Sequence, residues 1–278
     1  MEQRVALVTG GLRGLGRAMA LGLARGGHHV LAVGHIEADI AEIVRETGRT
    51  ALAERLDPHV ADLRRAEECD RVVALAETRF GPVEILVNNA GLTFTYIDPA
   101  RYRRPSIQKF WEVGDDIVEN VVATNLLAAD RLARRAAPSM VARGWGRIVN
   151  VTTKLDTMNR AGTHPYGATK AALEMATEVW AKDAEGTGLT VNIVNPGAGA
   201  NTPGMAEEMR AMSREGRAPR LIEPEEMVPP LLYVVSREAD TVNGWRFDAN
   251  LWDTALPPTE AARRAGRPAG FEMHPQPA

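Results

Sequence analysis

The chain has 278 residues, 45% of them apolar and 25% charged, and a formal net charge of −3. This length and balance suit a globular protein with a well-buried core, in one large domain or two small ones, and exclude a disordered or fibrous chain. The charge leaves no electrostatic case for nucleic acid or an anionic membrane as partner.

The first residues, MEQRVALVTG, run directly into a strand at 5–10 with no charged-then-apolar leader. The stretch TGGLRGLG (9–16) joins that strand to a helix, LGRAMALGLARGG. A strand HVLAVG (29–34), a helix IEADIAEIVRETG and a weak strand near HVADL (59–63) follow. The next helix, RAEECDRVVALAETRFG, holds Cys69, the only cysteine, so an intrachain disulfide is excluded and a reducing compartment fits. Strand EILVNNAG (84–91) leads into a long irregular connection, 92–110, in which Arg101, Arg103 and Arg104 read as a solvated loop. Loops of this length in compact domains are usually functional or disordered. The helical DDIVENVVATNLLAADRLARRAAPSMVARG, strand GRIVNVTT (146–153), helix PYGATKAALEMATEVWAKDAEGTG and strand LTVNIVNPG (189–197) continue the alternation, which a last strand WRFDANLW (245–252) ends.

The helices carry apolar residues at three-to-four spacing and stop at glycine. Runs such as ILVNN and RIVNV are almost continuously apolar, as in strands covered on both faces. The alternation predicts an α/β protein, a doubly wound parallel sheet in three α/β/α layers, as one domain over 1–253. Residues 254–278 hold five prolines and few apolar residues, so they are expected to be a mobile tail or an arm on a neighbouring subunit. No apolar run approaches the ~20 residues that span a bilayer, and the histidines show no metal-ligand spacing. The expectation is a cytoplasmic protein with no metal.

Two stretches carry chemistry. In TGGLRGLG, Gly10, Gly14 and Gly16 allow a tight turn and close backbone approach to a pyrophosphate, which the N–H groups and partial positive charge of the following helix N-terminus would hold. In NVTTKLDTMNRAGTHPYGATK (150–170), Tyr166 and Lys170 stand four apart and share a helix face. A phenol titrates near ~10, and an adjacent ammonium is expected to lower that value and ready Tyr166 for proton transfer.

These motifs, with Asp62–Leu63, NNAG at 88–91, Asn125 and Pro196–Gly197 in order, make the chain resemble the short-chain dehydrogenase/reductases of the single-domain branch, from residue 4 to about 250. The resemblance implies a Rossmann-fold oxidoreductase that moves a hydride between a nicotinamide cofactor and a small-molecule carbonyl or alcohol, as a homotetramer or homodimer joined partly through 225–252; the alternative is a catalytically weak cofactor-binding sensor on the same fold. It implies that Leu15 belongs to the phosphate loop, that Asp62 accepts from adenine with Leu63 beside the ring, and that Asn89, Ala90 and Gly91 line the ribose side. It places Pro196, Gly197 and Thr202 at the nicotinamide and phosphates, although PGAGANTP is one residue longer than the family's usual spacing. The family's serine falls on Thr153, which would donate to the substrate oxygen, and strand alternation favours Thr153 over Thr152. Lys170 would also hold the nicotinamide ribose, and Asn125 a proton-relay water. At the end of the second strand the chain has Gly34 and His35 where an aspartate would select NAD; with Arg13 in the loop, NADP(H) is favoured over NAD(H). Tyr96, Leu155, Asp156 and Trp111 are the expected substrate contacts, with core packing the alternative for Trp111 and a surface pair the alternative for Lys154 with Asp156.

Overall fold

The computed structural model describes residues 2–48 and 50–271. Strands β1 (Val5–Thr9), β2 (His29–Gly34), β3 (Leu56–Val60), β4 (Ile85–Asn88), β5 (Gly146–Asn150), β6 (Leu189–Asn195), β7 (Trp245–Asp248) and β8 (Gly266–Pro268) form one sheet. Its order is β3-β2-β1-β4-β5-β6-β7-β8, parallel throughout except for the antiparallel β7–β8 pair. Helices α1 (Gly14–Arg25), α2 (Ala38–Thr47), α3 (Ala51–Arg55), α4 (Ala66–Phe80), α5 (Phe94–Ile97), α6 (Asp115–Val122), α7 (Ala128–Ala142), α8 (Leu155–Met158), α9 (Tyr166–Asp183), α10 (Glu207–Arg214), α11 (Val228–Val234) and α12 (Pro258–Ala265) complete the chain.

The predicted three-layer α/β fold follows from the two-residue period of the strands. Ala6 and Val8 of β1 join Val30, Ala32, Ile85, Val87 and Val149 on one sheet face, packed with Met19 and Leu23 of α1 and Leu231 of α11. Leu7, between them, points the other way with Leu31, Leu86, Ile148 and Val191, against Val72 of α4 and Leu132 of α7. Every residue of β1, β4, β5 and β6 is buried, which explains their largely apolar runs. Among the described residues, no helix is long and apolar enough to cross a membrane.

Three features depart from expectation. The tail expected from 254 is, through residue 271, part of this domain: α12 buries Ala261, Ala262 and Ala265, and β8 pairs with β7. Alanines small enough to pack closely supply a core contact that overall apolar content understates; residues 272–278 lie outside the described residues. The weak strand near 59–63 is at Leu56–Val60, where it pairs in register with β2. Finally, the helix expected to run unbroken from Asp115 contains a π-helical turn, Ala123–Leu127, centred on Asn125.

Candidate active site

The parallel strands end toward one side of the sheet, where the loops that follow them meet. Gly10 and Gly14 have positive φ, 61° and 55°, a conformation that costs glycine nothing. A Cβ on Gly16 would overlap the Gly10 carbonyl and the Asn89 amide. Asn89 fixes the loop from below: its Nδ2 donates to the Thr9 carbonyl at 2.9 Å and the Gly10 carbonyl at 3.3 Å. The Asn89 and Ala90 N–H groups both donate to Thr9 Oγ1, at 2.9 and 3.0 Å. The N-terminus of α1 has neither a side-chain cap nor an acidic residue in its first turn. Unsatisfied N–H groups, a positive dipole end and a side-chain-free approach are what a pyrophosphate needs, so these residues suit a nicotinamide dinucleotide.

Of the other predicted cofactor residues, Thr202 lies directly against this loop. Thr202 packs on Gly14, at 3.2 Å from the place a Cβ would occupy. Gly197 turns with φ 67°, and the Asn195 side chain accepts from its N–H at 2.8 Å; Pro196 is bound through its carbonyl by the Asn250 N–H at 3.2 Å. Arg13 is half-buried, with its guanidinium 3.7 Å from Asp39, and His35 is exposed. Both oxygens of Asp62 are held by Arg64, at 2.8 and 2.6 Å, and that guanidinium keeps the Asp62 carboxyl below its ordinary range. Leu63 is buried in the core, so an adenine contact there falls to its backbone rather than its side chain.

At the far end of the cleft, α9 begins at Tyr166. The Thr153 side chain stands close enough to the Tyr166 phenol to favour its charged form, but burial acts more strongly and raises its pKa. Lys170 is buried and its Nζ donates to the Val151 carbonyl at 2.7 Å. Burial lowers its pKa to about 8. The expected depression of Tyr166 by this ammonium is therefore not what dominates: desolvation disfavours the charged form of both groups, and the phenol stays protonated near neutrality. Asn125 closes the arrangement. Its Oδ1 accepts from the Leu92 N–H at 2.7 Å, and its Nδ2 donates to the Leu92 carbonyl at 3.1 Å. Gly91 lies between, with a Cβ position 3.5 Å from Asn125 Oδ1 and 3.6 Å from Lys170 Nζ. The π turn aims Asn125 inward, a role such turns often serve at functional sites.

A model of the short-chain dehydrogenases matches residues 4–213. The chain belongs to the short-chain dehydrogenase family. It is 32% identical over 259 residues to nodulation protein G of Azospirillum brasilense, covering 90% of this chain and 98% of that one. It is 30% identical over 249 residues to a 3-oxoacyl-(acyl-carrier-protein) reductase of Thermotoga maritima, covering 88% and 95%. Among solved structures, actinorhodin polyketide ketoreductase with NADPH superposes with a TM-score of 0.72 at 29% identity, over 87% of this chain and 93% of that one. This short-chain dehydrogenase is accordingly an oxidoreductase of the dehydrogenase/reductase type.

In this short-chain dehydrogenase the two threonines have separate surroundings. Thr152 Oγ1 donates to Glu174 Oε2 and accepts from Arg246 Nη1, both at 2.9 Å, on the face away from Tyr166. Glu174 and Arg246 are themselves fully buried and paired at 2.6 Å. Arg246 Nη2 donates to the Thr153 carbonyl at 2.7 Å, so the pair anchors the backbone that presents the Thr153 hydroxyl. Neither residue carries a motif, and only the oddity of a charged residue inside the strand candidate WRFDANLW and another inside the apolar face of α9 could have drawn attention to them.

The expected substrate contacts divide. Phe94, not Tyr96, packs on Tyr166, with ring centres 4.8 Å apart; Tyr96 is exposed. Leu155 is half-buried on α8. Asp156 forms the surface pair with Lys154, at 3.2 Å with both side chains more than half exposed. Trp111 is 70% exposed and stacks edge-on with exposed Phe110, 4.9 Å away, so it is not a core residue. Thr93 and Thr95 both donate to the Gly204 carbonyl, at 3.0 and 3.1 Å, drawing the segment after β4 against the segment after β6 across the cleft.

Proposed function

We propose that this enzyme interconverts a carbonyl compound and its alcohol, using NADP(H), with Tyr166 as the proton-transfer residue. The observation that carries the reading is Thr153 set close to Tyr166 beside buried Lys170, with a glycine cradle suited to a dinucleotide in the same fold. The nicotinamide, when bound, supplies or accepts the hydride. Gly10, Gly14, Leu15 and Gly16 would hold its pyrophosphate, with Asp62 and the 89–91 turn along the adenosine and Pro196, Gly197 and Thr202 toward the nicotinamide. Thr153 and Tyr166 both donate to the substrate oxygen as negative charge develops there, and Tyr166 surrenders its proton to it. A phenol kept neutral by burial is ready for reduction without prior protonation. Lys170, with Asn125 beside it, restores that proton and stabilises the phenolate while it exists.

Arg13 supports the preference for NADP(H): its partly exposed guanidinium stands at the loop, and its long contact with Asp39 can give way to a 2′-phosphate. The absence of a carboxylate at 34–35 leaves nothing there to repel that phosphate. The same reading includes a homo-oligomer joined through 225–252, where Trp245 and Leu251 are exposed. The test is NADPH and NADH turnover over a panel of ketones and aldehydes, with Tyr166→Phe as control. NADPH oxidation by the wild type, retained cofactor binding in Tyr166→Phe and a fall in its rate of roughly 100- to 10,000-fold are expected. Equal rates for the two proteins would overturn the mechanism.

A further inference from the structure

The 92–110 connection holds a cation for which the mechanism has no use. The Arg101 guanidinium lies over the Phe94 ring, 4.4 Å from its centre, and Phe94 packs in turn on Tyr166 at 4.8 Å. Arg101 is therefore no farther from the Tyr166 ring than those two separations combined. Its Nη1 donates to the Gly162 carbonyl at 2.5 Å, tying the connection to the turn just before α9. The side chain is half-buried, whereas Arg103 and Arg104 are exposed as the solvated-loop reading expects.

Two neighbouring cations have carboxylates. Arg104 is paired with Asp98 at 3.4 Å, and Lys154 with Asp156. Arg101 has no acidic partner within ion-pair distance among the described residues. An arginine keeps its charge at any working pH and has five N–H donors in a rigid fork. One carbonyl uses only part of that capacity, while the aromatic face beneath and the fixed hydrogen bond hold the rest in place.

We propose that Arg101 recognises an anionic group of the substrate, and that the substrate is a carbonyl or alcohol compound carrying a carboxylate. A carboxylate matches the planar fork in two parallel hydrogen bonds. Lys154, just before α8, is already engaged by Asp156. The inference rests on the oxidoreductase reading and specifies its substrate class.

The test compares straight-chain oxo acids, from 2-oxo to 6-oxo, with their methyl esters as NADPH-dependent substrates of the wild type, Arg101→Gln and Arg101→Lys. In the wild type, the best acid should exceed its own ester in kcat/KM by roughly 10- to 100-fold, the weight of a hydrogen bond to a charged group. That ratio should fall to near one in Arg101→Gln, chiefly through KM, and recover only in part in Arg101→Lys, which keeps the charge but loses the fork. A merely structural Arg101 would slow acid and ester together and leave the ratio intact. A ratio near one in the wild type, or one that survives Arg101→Gln, overturns the proposal while leaving the oxidoreductase reading in place. Turnover of esters and neutral ketones without acids also overturns it; no turnover of any carbonyl overturns both.

Discussion

Replacing Arg246 by methionine should destabilise the protein severely, because Glu174 would remain buried without its partner. The pair is sealed from water, with side-chain exposures of 1% and 0%. Removing one partner of a buried ion pair costs about 3–5 kcal/mol, since the surviving charge is neither solvated nor neutralised. At roughly 2–4 °C per kcal/mol for a domain near this size, the melting temperature should fall by about 6–20 °C. The double variant Arg246→Met/Glu174→Met should recover most of that loss, as apolar replacements of similar volume remove both desolvation costs. The deficit should also depend on pH. Burial raises the Glu174 pKa even with Arg246 present. A carboxyl whose folded pKa lies above its unfolded value binds an extra proton when folded, so stability falls as pH rises from the ordinary carboxylate value through the folded one. The deficit of Arg246→Met should therefore be largest at neutral and alkaline pH and shrink in acid. Urea and thermal denaturation followed by circular dichroism, from pH 4 to 8, measure this. A loss below about 1 kcal/mol, or a double variant as unstable as the single one, would refute the reasoning.

Three further outcomes are expected. Thr153→Ala should lower kcat by roughly 100- to 1,000-fold with cofactor affinity retained, and Thr153→Ser should keep most of the rate; steady-state kinetics and cofactor titration decide between these and a passive role. Gly16→Ala should abolish cofactor binding, measured by NADPH fluorescence, because the added methyl collides with the Gly10 carbonyl and the Asn89 side chain. Carbonyl reduction should be flat in mildly acidic to neutral solution and decline as pH rises through about 8, where Lys170 loses its proton. Lys170→Met should be slower throughout and lack that inflection, and a wild-type profile flat to pH 10 would exclude Lys170 from the proton path.

The layer order and most of the glycine cradle were legible because both depend on local pattern: a two-residue period that sends Ala6 and Leu7 to opposite faces, and glycines where side chains collide. The choice of Thr153 over Thr152 rested on the same alternation, and the structure gives the two hydroxyls different surroundings. What escaped depends on distant pieces meeting. Phe94 reaches Tyr166 through the path of the connection after β4, which no periodicity describes. Arg246 and Glu174 are far apart in sequence and meet only when β7 and α9 pack. Burial governs the direction of the Tyr166 pKa shift, whereas the spacing to Lys170 alone suggested the opposite sign. The final strand was hidden by its brevity and its proline.

That strand has a consequence for how the folded protein behaves toward its own copies. A long, flat sheet edge offers unpaired N–H and C=O groups as a template for any passing extended chain. Here β7 is covered by three residues, Gly266 to Pro268, running in the opposite direction, and a proline has no N–H to extend the ladder. The sheet thus terminates in a poor template. A chain cut before Pro258 would uncover the β7 edge, and its characteristic failure should be aggregation during refolding rather than loss of the cofactor cradle, which lies several strands away.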